Sequence, residues 1–278
     1  EERQIGLPEV RVDRATTERN CSRVHDVLGD LLTVEPRGPT HWWFDPLDRL
    51  ATLRGVGQLL EDLYDRPAFV HRCLARLLRH RMAFLHELHV QGALALNNRN
   101  HYTGSGGLGY TRQLPRPGFN PERVRPVDLW GAAAQIFAEV SPAMHEEFAL
   151  QYERPWLAQF GLNCYGCCEP LHHKLDLVKT IPNLRRVSIS PWADLARSAE
   201  ALGDRYILSW KPNPAVLAAE TWQPEVVARE LREGLRRVRG CVVEIIMKDT
   251  HTCRHDPPRM WEWVRIARAV AAEAAAAG

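Results

Sequence analysis

The run GLNCYGCCEPLHHKLDLVKTIPNLRRVSIS, residues 161–190, decides the fold. Two strand-like stretches, GLNCYG and NLRRVSIS, flank a helix-like segment, LHHKLDLVKT, and the same beat then continues to the end of the chain. ADLARSAEALG reads as helix, RYILSW as strand, PEVVARELREGLRRV as helix, CVVEIIMKD as strand and PPRMWEWVRIARAVAAEA as helix. Strands that alternate with helices in this way imply βαβ units and a parallel sheet, because a parallel return needs a crossover rather than a tight turn.

Working back towards the start, RGPTHWWF reads as a strand ending at Asp45-Pro46, and residues 55–92 give two helices, with Pro67 opening the second and Gly92 stopping it. GALALNNRN is the next strand and ends in a polar cluster, Asn97, Asn98, Asn100 and His101; SGGLGY then supplies a glycine-rich loop. From Asp128 to Gly161 turn signals alternate with helix, and Ser141 precedes Pro142 as an N-cap precedes a first-turn proline. Six strands result, at about 38–44, 92–97, 160–166, 184–190, 205–210 and 241–248. A doubly wound nucleotide-binding sheet should carry a glycine fingerprint between its first strand and helix, whereas SGGLGY opens no periodic helix. The expectation is a single domain over 1–278, a (β/α)₈ barrel of the TIM type. Since a closed barrel needs eight strands, the first one or two β/α units are expected to be absent from this sequence.

Composition agrees with one folded enzyme-sized unit: 278 residues, 45% hydrophobic and 25% charged. The formal charge of +2 arises from interspersed side chains with no polybasic tract, which argues against a nucleic-acid partner. No apolar stretch is long enough for a membrane span and no signal-peptide pattern opens the chain, so a cytoplasmic protein without a membrane partner is expected. Seven cysteines, three of them within residues 164–168, suit a reducing compartment better than a disulfide framework.

In a parallel barrel, reactive groups gather at the C-terminal ends of the strands. That rule selects Cys164, Cys167, Cys168 and Glu169 after one strand, and Lys248, Asp249, His251 and Cys253 after another. It adds Trp210, Lys211 and Asn213, together with Asn97, Asn98 and His101. Thiolates and imidazoles are zinc donors, and a catalytic zinc keeps three protein ligands and one open position; Cys167 and Cys253 with His251 or Glu169 would make such a set. Buried structural cysteines in a tight turn are the alternative. Lys248 and Asp249 read either as an acid/base pair, with His101 as a further catalytic group, or as a salt bridge at the rim. Asn97, Asn98, Trp210, Lys211, Asn213 and His172 are the substrate-binding candidates. Trp42 and Trp43 read as core or pocket wall, and Cys21, Cys73 and Cys241 as ordinary core or surface positions.

The order of several segments resembles the uroporphyrinogen decarboxylase-like superfamily, which includes corrinoid-dependent methyltransferases and is related in type to cobalamin-independent methionine synthase. RGPTHWWF with GVGQLLEDLYDRPAFVHRCLARLL looks like the third strand and following helices of that family, and AQIFAEVSPAMHEEFALQY like the block before its fifth strand. YGCCEPL falls where methyltransferase members carry a His-x-Cys-Gly zinc motif, SWKPNPAVL resembles a Gly-Asn-x-Asp-Pro segment, and CRHDPPRMWEWVRIA falls at a second zinc cysteine and a proline-led last helix. The likeness spans roughly residues 36–272. It implies zinc held by Cys167 and Cys253. Tyr165 stands in place of the family histidine, so Glu169 or His251 would complete the set.

Three functions follow. The first is a zinc-dependent methyl-group transferase acting on a small molecule, with the methyl carried by a corrinoid protein partner. The second is a metal-independent decarboxylase or lyase in which Lys248, Asp249 and His101 work on a carboxylated substrate. The third is a non-catalytic ligand-binding barrel. Homodimer and monomer are both open.

Overall fold

A computed structural model describes residues 5–277. Eight strands occur among them: β1 (Trp43–Phe44), β2 (Tyr102–Gly104), β3 (Gly107–Leu108), β4 (Trp130–Ala133), β5 (Leu162–Tyr165), β6 (Leu184–Ile189), β7 (Ile207–Trp210) and β8 (Val242–Ile245). Six of these form one sheet in the order β1-β4-β5-β6-β7-β8, and every pairing in it is parallel. Strand order therefore follows chain order, with no reversal point of the doubly wound kind. β2 and β3 make a separate antiparallel hairpin.

Each crossover carries helix. Pro46–Arg54, Val56–Asp65 and Pro67–Val90 follow β1; Pro142–His145, a wide five-residue turn at Glu146–Leu150 and Gln151–Leu157 follow β4. Leu175–Val178, Leu195–Leu202, Ala215–Ala218, Pro224–Arg237 and Pro258–Ala276 follow the last four strands. The local signals work as expected at several of these ends. Pro67 opens its helix, the Ser141 hydroxyl accepts from the Met144 amide, and the Asp194 carboxylate accepts from the Arg197 amide. Among the described residues, no helix is long and apolar enough to cross a membrane.

Side chains alternate between the two faces of a strand. On the outer face Ala133, Tyr165, Val187, Ile189, Leu208 and Trp210 pack with Trp156, Trp263 and other helix residues, and with Phe160 in the turn before β5, into the main core. The fit is close: a Cβ on Gly234 would lie 2.0 Å from the Trp210 ring. The inner face is different, carrying Cys164, Arg186, Ser188, Ser209, Lys211 and Glu244. The β2–β3 hairpin lies against it. Arg186 donates from Nη1 to Thr103 Oγ1 (3.0 Å) and from Nη2 to the Leu108 carbonyl (2.8 Å), pairs with Glu244 at 2.7 Å and stacks on Trp130 with its guanidinium carbon 4.9 Å from the ring centroid. Gly106, at the hairpin tip, has φ +86° and no room for a side chain, because a Cβ would come 2.8 Å from Ile246 Cγ2.

Three expectations change. Residues 92–97 form no strand; instead the Asn97 side chain donates to the Thr40 and Trp130 carbonyls and accepts from the Trp130 amide, tying the N-terminal ends of β1 and β4 together. The sheet gains β4 where only turns and helix were read. WGAA shows no polar/apolar alternation because both of its faces are buried, the inner one beneath the hairpin. SGGLGY, read as a loop, supplies the hairpin tip and its return strand.

Behind β5 lies a buried polar chain. Gln135 donates to one Glu153 carboxyl oxygen, the Tyr165 hydroxyl bonds the other at 2.8 Å, and His145 Nε2 meets the same hydroxyl at 2.6 Å. Burial lifts the Glu153 carboxyl to about 8. That value lies above the ordinary glutamate pKa of about 4.3, so the associated stability is complete below the ordinary value and is lost as pH rises through the folded-state value. Glu153→Gln mimics the protonated acid. Its thermal midpoint should match that of the wild type at about pH 4 and exceed it at about pH 8.5; a difference that does not grow with pH would contradict this account.

Candidate active site

The C-terminal ends of the parallel strands converge on one rim, and four side chains meet there. Gly166, at φ +89°, turns the chain out of β5, so Cys167 and Cys168 leave the strand together, their sulfurs 3.3 Å apart. Beyond β8 the extended chain brings Lys248 Nζ to 3.2 Å from Cys167 Sγ and 3.3 Å from Cys168 Sγ. Asp249, in the left-handed region at φ +58°, accepts from Lys248 at 2.8 Å and from Cys168 Sγ at 3.3 Å.

Hydrogen bonds with β6, the hairpin tip and Glu169 fix this group. The Ser188 hydroxyl on β6 donates to the Cys167 carbonyl at 2.8 Å and meets Ser105 Oγ, at the hairpin tip, at 3.1 Å. The Cys167 amide donates to Glu169 Oε2 at 3.1 Å, while Glu169 Oε1 is buried without a partner among the described residues.

The electrostatics follow from these contacts. A hydrogen bond from the Cys168 thiol, the Lys248 ammonium and the Ser105 hydroxyl together bring the Cys167 thiol down to about 6 against the opposing effect of burial. Cys168 moves the other way, pushed up by donating to Cys167, by burial and by the charge of Cys167. Burial opposes the charge on Lys248, yet Asp249 and the two sulfurs hold it above the ordinary lysine value. Burial, with the nearby Cys167 charge, raises Glu169 to about 7; burial, Asp45 and Cys167 raise Asp48, beyond the end of β1, to about 6. At neutral pH the site is a thiolate held by an ammonium, with a neutral thiol beside it.

The sequence-derived candidates divide. Cys167, Lys248 and Asp249 come together, with Glu169 against the Cys167 backbone. Lys211 lies on the inner face, where its ammonium donates to Ser209 Oγ at 2.6 Å; burial lowers it to about 8. Trp210 points to the opposite face, onto Gly234. Exposed Asn213 caps the Ala215 amide, and His172 packs edge-on to His173, their ring centroids 5.2 Å apart. His251 is exposed near enough to act on the charge of Asp249, and the Cys253 carbonyl closes a turn with the Asp256 amide. His101 stands at the base of the hairpin, 2.8 Å from Arg37, and Asn98 donates to the Leu114 carbonyl. With Asn97 between β1 and β4, these three lie away from the thiols.

The proposed zinc donors are not assembled. Among the described residues, no three His, Cys, Asp or Glu side chains form a group that could hold a metal ion, and the Lys248 ammonium already lies against both sulfurs. The residues as arranged fit an ion pair rather than a zinc ion. A groove of about 1360 Å³ with an apolar floor runs beside β8 between Pro224–Arg237 and Pro258–Ala276 and touches the site at Lys248 and Asp249.

Sequence reasoning missed Ser105, Ser188, Asp48 and the Arg186–Glu244 pair. Strand alternation could have found part of this, since Arg186, Ser188 and Ser190 alternate with the apolar Val187 and Ile189. Ser105 gave no signal, because its position depends on the hairpin's docking. No protein-family model matches the chain, and no curated protein matches it.

The contacts around Cys167 make a direct test. In wild-type protein, the rate of Cys167 alkylation by iodoacetamide should rise with a midpoint near pH 6. In Lys248→Met the midpoint should move up towards the ordinary thiol value of about 8.5, with a smaller upward shift in Ser105→Ala. Unchanged midpoints in both variants would mean that neither side chain stabilises the thiolate.

Proposed function

We propose that this chain is an enzyme built on six units of a (β/α)₈ barrel and that it transfers methyl groups, with the Cys167 thiolate as nucleophile. The observation that carries this reading is the Lys248 ammonium, 3.2 Å from Cys167 Sγ, which supports a charged sulfur at neutral pH at the rim where such folds do chemistry. The barrel is supported by the all-parallel ladder in chain order and by the charged inner face. The resemblance to corrinoid methyltransferases supplies the transferred group and a corrinoid protein as the external carrier.

The step is an in-line displacement. The sulfur attacks the methyl carbon; the S–C bond forms as the bond from carbon to its leaving group breaks, and the leaving group departs with the electron pair. Lys248 holds the sulfur as an anion before attack and loses that charge partner once it is alkylated. Asp249 keeps the ammonium in place, and Cys168 is a second hydrogen-bond donor to the reacting sulfur, 3.3 Å away. No step runs through zinc.

Incubation with isotope-labelled methylcobalamin followed by peptide mapping tests the proposal. Label on the Cys167 peptide, abolished in Cys167→Ser and reduced in Lys248→Met, is the expected result. Three results would overturn it: an unlabelled Cys167 peptide, a stoichiometric zinc ion bound through Cys167, or decarboxylation of a carboxylated substrate that Cys167→Ser leaves intact.

A further inference from the structure

Neighbouring side chains in an extended chain point to opposite sides, so two adjacent cysteines ordinarily keep their sulfurs apart. After Gly166 the chain has left β5, and Cys167 and Cys168 turn to the same side with Sγ–Sγ 3.3 Å. Lys248 Nζ contacts both sulfurs, at 3.2 and 3.3 Å, and Asp249 Oδ2 accepts from Cys168 Sγ at 3.3 Å. Cys168 is exposed and Cys167 partly so, which leaves the pair open to a small oxidant.

We propose that Cys167 and Cys168 close into a reversible disulfide with one another, making the pair a modification site for hydroperoxides. The Cys167 sulfur attacks the terminal peroxide oxygen; an S–O bond forms as the O–O bond breaks, the sulfur is oxidised by two electrons and the peroxide is reduced. The departing oxygen takes a proton and leaves as alcohol or water. Cys168 then attacks the sulfenic sulfur, the S–S bond forms as the S–O bond breaks, and the released hydroxide takes up the thiol proton as water. In sum, two thiols and one hydroperoxide give a disulfide, an alcohol and water, and an external dithiol reverses the change.

The sulfurs need only close from 3.3 Å to about 2.05 Å. Adjacent Cα atoms are about 3.8 Å apart, shorter than the roughly 4.4 Å at which ordinary disulfide spans begin, so the bridge is strained and easily reduced. That lability belongs to a switch rather than a structural staple. Once formed, the bridge removes the sulfur facing Lys248; this consequence, unlike the disulfide itself, rests on the reading of Cys167 as the nucleophile.

The test reads the disulfide without reference to activity. Reduced wild-type protein is titrated with hydrogen peroxide, alkylated under denaturing conditions and peptide-mapped. The expected result is that the peptide carrying both residues loses two hydrogens and two alkylation sites, and that dithiothreitol restores them. In Cys168→Ser, Cys167 should stop at sulfenic acid or run on to sulfinic acid. Overoxidation of Cys167 in wild-type protein with Cys168 still alkylated would overturn the inference, as would loss of thiols confined to other cysteines. A disulfide in a protein that never accepts a methyl group would refute only the methyl-transfer reading, and methyl acceptance without a disulfide would refute only this one.

Discussion

Arg186 is the group on which the inner half of the molecule depends. Only 4% exposed, it meets the Glu244 carboxylate, the Thr103 hydroxyl, the Leu108 carbonyl and the face of Trp130. Taking two charges out of water costs several kcal/mol per ion, and a buried pair recovers this only when its geometry is good and its remaining donors are satisfied. Its role here is placement. Two of its contacts hold the hairpin, and the hairpin carries Ser105 to Ser188 and to the thiol of Cys167.

The site is made by convergence. Parallel strands all end on the same rim, so short loops after β5 and β8 bring sulfur and ammonium together without any compact motif. The hydrogen bond from Cys168 and the Lys248 ammonium together favour a charged sulfur at Cys167. Lys248 lies 3.2 Å from the Cys167 sulfur and favours its thiolate, and the Asp249 carboxylate keeps the lysine charged. Burial, and after it the charge on Cys167, raise Glu169 to about 7, so this carboxyl carries a negative charge poorly beside the thiolate.

The outer half of the sheet follows plainer rules. Its apolar face is covered by helices whose starts are marked by Pro67, Ser141-Pro142 and Asp194, all local signals. The polar chain of Gln135, Glu153, Tyr165 and His145 interrupts that core, and its members are joined because Pro142–His145 and Gln151–Leu157 bring His145 and Glu153 to the Tyr165 hydroxyl on β5.

The sequence by itself determined the parallel α/β character, the strands at β1 and β5–β8, and the strand ends that carry Cys167 and Lys248. These rest on periodicity and on turn-forming residues, which act over a few positions. It left β4 hidden, because Trp130–Ala133 is buried on both faces and shows no alternation, and it took residues 92–97 for a strand where a single asparagine side chain bridges the sheet. Tertiary structure alone decided that Cys167 and Lys248, 81 residues apart, touch, and that a glycine-rich stretch becomes a hairpin packed on the polar face of the sheet. Both outcomes depend on how strands and crossovers pack in three dimensions, which no local pattern of residues encodes.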